Sequence, residues 1–167
     1  MNVQTHHIER FFYRSPNGNI EAWLASPRHI QKPRLILFCR GGYKNYGSIN
    51  PTKIETFFLP LVRAGFAVVG SQYSEGPHSD GIDQYGGKDV RDILALYDHM
   101  KKREEYFALD RIGILGVSRG AMMALQAMRD GLPVWRAAFI GGLYDCTTIE
   151  VQRPDLYAMW KEKKLFN

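Results

Sequence analysis

The chain has 167 residues, a formal charge of +5 and 45% hydrophobic residues, a composition for one folded domain or part of one rather than a disordered polymer. No apolar run approaches the roughly 18 residues that cross a bilayer. The start, Met1 to His7, lacks a basic segment followed by an apolar one, so no secretory signal is read. Two cysteines, Cys39 and Cys146, build no disulfide framework, fit a reducing cytoplasm and are read as inert thiols. The basic residues are scattered apart from Lys161-Glu162-Lys163-Lys164, which reads as a solvated helix face, so neither nucleic acid nor membrane is expected as a partner. Metal-type Cys and His spacings are absent, and no metal or cofactor is expected.

The chain opens on an expected hairpin over 8–27. Ile8 to Arg14 is β-branched and aromatic, Ser15-Pro16-Asn17-Gly18 is a turn signal, and Ile20 to Ala25 alternates apolar and polar. From 33 to 145 short apolar strands alternate with helices, the pattern of a mostly parallel sheet covered on both faces. The expected strands are Leu35 to Phe38, Phe66 to Gly70, Ile112 to Leu115 and Ala137 to Ile140. Ile54, Phe57, Phe58, Leu61 and Val62 recur at helical spacing, and Gly65 closes that helix. Val90, Ile93, Leu94, Tyr97 and Met100 give a second helix with His99 on its wet side, and Ala121 to Met128 a third. Residues 146–167 read as the start of a following segment, with Pro154 opening a helix whose stripe is Leu156, Met159 and Trp160. Right-handed crossovers put every parallel strand's C-terminal end on one edge of the sheet, where sites form in open α/β folds.

Gly116-Val117-Ser118-Arg119-Gly120 matches G-x-S-x-G between an apolar strand and a helix that starts with small residues. That context makes it a nucleophile elbow: Ser118 is lifted above the sheet on a tight turn, and glycines on either side avoid clashes. The helix N-terminal amides then face a developing oxyanion. Arg40-Gly41-Gly42-Tyr43 follows the first core strand, where this architecture places the second oxyanion amide.

These landmarks resemble the catalytic α/β-hydrolase domain of the prolyl oligopeptidase family. The strongest matches are Gly86-Gly87-Lys88-Asp89-Val90-Arg91-Asp92 and the run from Asp110 to Gly120, supported by the hairpin turn, the Arg40-Gly41-Gly42 loop and Tyr73-Ser74-Glu75-Gly76. The resemblance spans about Arg14 to Thr147 and implies a serine peptidase or esterase working through an acyl-enzyme on a peptide or ester substrate. By it Ser118 is the nucleophile, and Arg119, Arg40, Gly42 and Tyr43 form the oxyanion site. Arg40 stands where the family carries a Tyr or His, which leaves the identity of that donor open.

The family's triad runs Ser, acid, His along the chain, yet His6, His7, His29, His78 and His99 all precede Ser118. The sequence therefore resembles the N-terminal portion of a larger catalytic domain, a single incomplete α/β-hydrolase domain over 1–167 with its last strands missing. Two substitutes are considered: His78, in the loop after the Phe66 to Gly70 strand, as base, and Asp145, after the last core strand, as acid. Local turn roles are the plainer reading of both. A serine without a base is a poor nucleophile, so weak or no hydrolysis is expected of this chain alone. Removing the histidine from a serine protease costs on the order of 10⁶ in turnover. The alternative is a non-catalytic α/β-hydrolase-like protein that binds a ligand in the same cleft. Two further expectations are self-association through the open edge at 137–140 and no packing surface for the Leu156/Met159/Trp160 stripe. A dinucleotide-binding fold is excluded because Gly113, Gly116 and Gly120 do not have the G-x-G-x-x-G spacing.

Overall fold

A computed structural model describes residues 5–145 and 147–162. Cys146 lies outside the described residues. Six strands form one sheet in the order β1-β2-β4-β3-β5-β6. The hairpin is β1 (His6–Ser15) and β2 (Gly18–Pro27), and β2 runs antiparallel to β4 (Ala67–Ser71). From there β3 (Arg34–Cys39), β5 (Ala108–Val117) and β6 (Val134–Ile140) continue the sheet in parallel. The α/β class and the antiparallel hairpin agree with the sequence pattern, and every strand except β4 extends beyond the apolar run that marked it.

Alternation along the strands builds two cores. Leu35, Leu37 and Cys39 of β3 face one side with Ala67 and Val69 of β4, under α3 (Val90–Lys101) and α4 (Arg119–Arg129). Phe38 and Val68 face the other, with Ile54, Phe58 and Val62. Those three belong to a continuous helix of α1 (Pro51–Lys53), a π-helical turn (Ile54–Phe58) and α2 (Leu59–Arg63). The π-turn has a cause in the sequence. Pro60 has no N–H and its ring would strike a carbonyl four residues back, and the wider turn, closed by Leu59 N–H on Ile54 O, accommodates it.

The last segment forms two short helices, α5 (Ile149–Gln152) and α6 (Pro154–Glu162). The expected lack of a packing surface for their stripe is corrected here. Trp160 is buried and meets Tyr85 edge-on at 5.3 Å, a contact across 75 residues that no local periodicity announces. His99 is corrected too. It is half-buried, stacked on Phe11 at 5.1 Å, because β1 folds against that side of α3. β6 is the edge of the sheet as expected, with Trp135 and Ile140 half exposed.

Candidate active site

Ser118 sits between β5 and α4 at φ 54° and ψ −125°, a conformation that side-chain-bearing residues avoid. Two bonds hold it there: its N–H donates to Ile140 O at 2.7 Å, and its carbonyl accepts Ala121 N–H at 2.9 Å. The side chain is exposed, as an elbow serine's must be. The flanking glycines are required by backbone crowding. A Cβ on Gly116 would lie 2.6 Å from Ala121 Cα. One on Gly120 would lie 2.6 Å from Arg40 O and closer still to Cys39 O, so α4 rests directly on the end of β3.

The other loop reaches the same point. A Cβ at Gly41 would stand 3.1 Å from Ser118 Cβ and 3.7 Å from its Oγ, which places the Arg40 to Tyr43 segment against the serine. Two of its expected donors are already committed. Arg40 is fully buried, and its guanidinium donates to Gln72 O, Gly41 O, Tyr46 O and Lys44 O through all three nitrogens. Five bonds use its five hydrogens, so the Arg40 side chain is a loop brace and not an oxyanion donor. Burial pulls this guanidinium down to about 10, which leaves it charged at neutral pH. The Tyr43 amide donates to Tyr46 O at 3.1 Å and is likewise spent. The Gly42 amide, which follows the Gly41 packed against Ser118, and the Arg119 amide, which follows Ser118 itself, are the backbone donors that remain.

A buried ionic cluster lies beneath them. Arg119 NH1 donates to Gly42 O at 2.9 Å and to Asp83 Oδ2 at 2.8 Å. Its NH2 pairs with Asp83 Oδ1 at 2.7 Å and with Asp89 Oδ2. The rings of Tyr85 and Tyr73 lie 4.7 and 5.6 Å from the guanidinium carbon. Burial works against the Arg119 charge, but the bond to Asp83 and the charges of Asp83 and Asp89 outweigh it, and its pKa is raised. Burial also raises Asp89, opposed by Arg119. The G-x-S-x-G pattern marks the position of Arg119 but not this role of its side chain, and Asp83 carries no local motif at all.

Asp92, also buried, anchors the loop after β4. Its Oδ2 accepts the Ser74 amide at 2.7 Å and hydroxyl at 2.8 Å, and its Oδ1 accepts Asn17 Nδ2 at 2.9 Å and the Ser15 hydroxyl. The carboxylate thus ties the hairpin turn to α3 by charge-assisted bonds.

His78 sits in the part of its loop that is tied to β2. Its neighbours Ser79 and Asp80 bond Glu21 N–H and Asn19 O of β2, and β2 is three strand spacings, about 14 Å, from β5. Asp145 accepts the Thr147 amide at 2.8 Å and hydroxyl at 2.6 Å, and these bonds hold its carboxyl below the usual range: a turn role, with no histidine to orient. Cys39 is buried, and its thiol is pushed up to about 12 by burial, a bond to Tyr73 only partly opposing this, as befits an inert thiol. A cleft of about 610 Å³ lined by Ile30, Lys32, Arg103 and Phe107 lies at the opposite edge of the sheet, where β2 ends and β3 begins.

The elbow, the glycine loop and the strand order all point one way, and the sequence matches the prolyl oligopeptidase family over residues 60–164. The chain belongs to that family. Among relatives, an uncharacterized peptidase of Bacillus subtilis, YtmA, is 28% identical over 150 residues, covering 89% of this chain and 56% of YtmA. Dipeptidyl-peptidase 5 of Porphyromonas gingivalis is 31% identical over 124 residues, covering 67% of this chain and 17% of that protein. The chain thus spans about half of the first relative and a smaller share of the second. In three dimensions it is similar to an alpha-beta serine hydrolase homologue from Coxiella burnetii, with TM-score 0.64, 22% identity, and coverage of 74% of this chain and 58% of that one. That likeness establishes the α/β-hydrolase fold, and family and relatives together support a serine hydrolase or peptidase.

Proposed function

We propose that Ser118 is the nucleophile of a prolyl oligopeptidase-type serine hydrolase acting on a peptide or ester. The observation that carries this is the backbone of Ser118 itself, held at positive φ with its side chain exposed and Gly41 packed against it. Conformations of this kind cost about 1–3 kcal/mol and persist where the surroundings over-determine them.

In this reading Ser118 Oγ adds to the acyl carbon and gives its proton to a base. The C=O electron pair moves to oxygen, where the Arg119 and Gly42 amides receive it. Collapse restores the carbonyl and breaks the bond to the leaving amine or alcohol, which takes the proton. Water then repeats the sequence, releasing the acid and free Ser118. The base is a histidine other than the five in this sequence, none of which follows Ser118. By itself the chain is a weak hydrolase at best.

The test treats the full chain with a fluorophosphonate, with and without added imidazole as an external base, and maps the adduct by mass spectrometry. Phosphonylation of Ser118, faster with imidazole and lost in Ser118→Ala, is the expected result. No Ser118 adduct in either condition would leave the non-catalytic binding protein as the better reading.

A further inference from the structure

Two buried arginines meet the same short loop from beneath: every hydrogen of Arg40 is spent on backbone carbonyls, and Arg119 spends both terminal nitrogens within the protein, leaving only its buried Nε without a partner. Arg40 holds the carbonyls of Gly41, Lys44 and Tyr46, and Arg119 holds that of Gly42. A trans peptide is planar, so a carbonyl fixed in one direction fixes the next residue's N–H in the opposite one. Pinning Gly41 O toward Arg40 therefore turns the Gly42 N–H away from the buried guanidinium. Pinning Gly42 O toward Arg119 turns the Tyr43 N–H to its partner, Tyr46 O. The loop is also tied through Asp83, whose Oδ2 accepts both Arg119 NH1 and the Lys44 amide, each at 2.8 Å.

Arg119 has a double position in this arrangement. Its backbone N–H belongs to the first turn of α4 beside Ser118, and its side chain fixes the loop that carries the second amide. We propose that Arg40 and Arg119 are positioning residues that fix the 41–47 loop and so aim its oxyanion-stabilising amide, Gly42 N–H, with Asp83 and Asp89 holding Arg119 in place. The proposal rests on the hydrolase reading above, and deepens it. A glycine-rich loop is conformationally free on its own, and an oxyanion hole works only if its donors are fixed before charge develops. The two guanidiniums supply that rigidity from the side away from the substrate. Lysine retains the charge but presents one compact ammonium in place of the planar fork, so it cannot hold two oxygens of Asp83 and Gly42 O together.

The test uses the full chain with Arg119→Lys and Arg40→Lys, substitutions that leave every backbone N–H present. Phosphonylation of Ser118 with imidazole is followed across probe concentration, and amide hydrogen exchange is followed in the unreacted protein. Arg119→Lys is expected to lower the maximal phosphonylation rate by about 10²-fold, the size of losing one fixed oxyanion donor, with the half-saturating concentration nearly unchanged. Exchange over 41–47 is expected to accelerate while β3 and β5 keep theirs. Should Arg119→Lys not fold, Asp83→Asn removes the paired charge and is expected to act in the same direction.

Unchanged exchange over 41–47 would overturn the proposal whatever the serine does. So would faster exchange with an unchanged maximal rate, since the loop would then be loosened without consequence. A wild-type chain with no Ser118 adduct would instead refute the hydrolase reading, and the positioning role would fall with it even if the exchange responded.

Discussion

Replacing Ser118 by glycine, and separately by alanine, isolates the strain at the elbow. Both variants lack the hydroxyl, so the difference between them reports only the Cβ in a backbone held at φ 54° and ψ −125°. Holding a side-chain-bearing residue there costs about 1–3 kcal/mol. Glycine removes that cost but adds about 0.5–1 kcal/mol of chain entropy lost on folding. Ser118→Gly is therefore expected to be more stable than Ser118→Ala by about 0.5–2 kcal/mol. At about 2–4 °C per kcal/mol for a chain of this size, its melting temperature rises by about 1–8 °C over the alanine variant. Scanning calorimetry or urea unfolding reads the difference directly. A Ser118→Gly melting point at or below that of Ser118→Ala would refute the idea that the elbow stores strain.

Two further outcomes follow from the same packing. Gly120→Ala places a methyl within 2.6 Å of Arg40 O with only backbone to yield, and is expected to cost about 1–3 kcal/mol in urea unfolding. Gly131→Ala, where nothing lies within 4 Å of the added carbon, is its control and reports only its own positive φ. His99 is held below its ordinary pKa, first by burial against Phe11 and then by Arg103 and Lys102, with Glu9 opposing. The unfolded chain thus binds the proton more readily, and stability present above pH 6.5 is lost as pH falls toward the lower folded value. Urea midpoints measured from pH 7.5 down to 5.5 are expected to fall, and His99→Gln to flatten part of that slope.

The sheet was legible because its signals are local. Leu35 to Phe38 and Ile112 to Leu115 are unbroken apolar runs, and the glycines around Ser118 answer to backbone crowding within a few residues of sequence. The side-chain chemistry beneath the loop was not legible for the opposite reason. Arg119 meets Asp83 and Gly42 across 36 and 77 residues, and Arg40 meets Gln72 across 32. An arginine on a glycine loop looks like a donor to substrate until its five hydrogens are traced to backbone oxygens. His99 and Trp160 were misjudged in the same way, because helical periodicity gives a residue's face and not whether a distant strand or loop returns to cover it.

The two rims of the sheet are unlike in chemistry. β1 borders one with Glu9, Arg10 and Arg14, charges that discourage a further strand from docking there. β6 borders the other with the run Val134 to Ile140, in which Arg136 is the only charge. The sheet is a template with one receptive end, and that end runs up to Ile140, whose carbonyl receives the Ser118 amide. Whatever strand adds there lengthens the sheet on the side of the serine, next to the backbone that holds it in position.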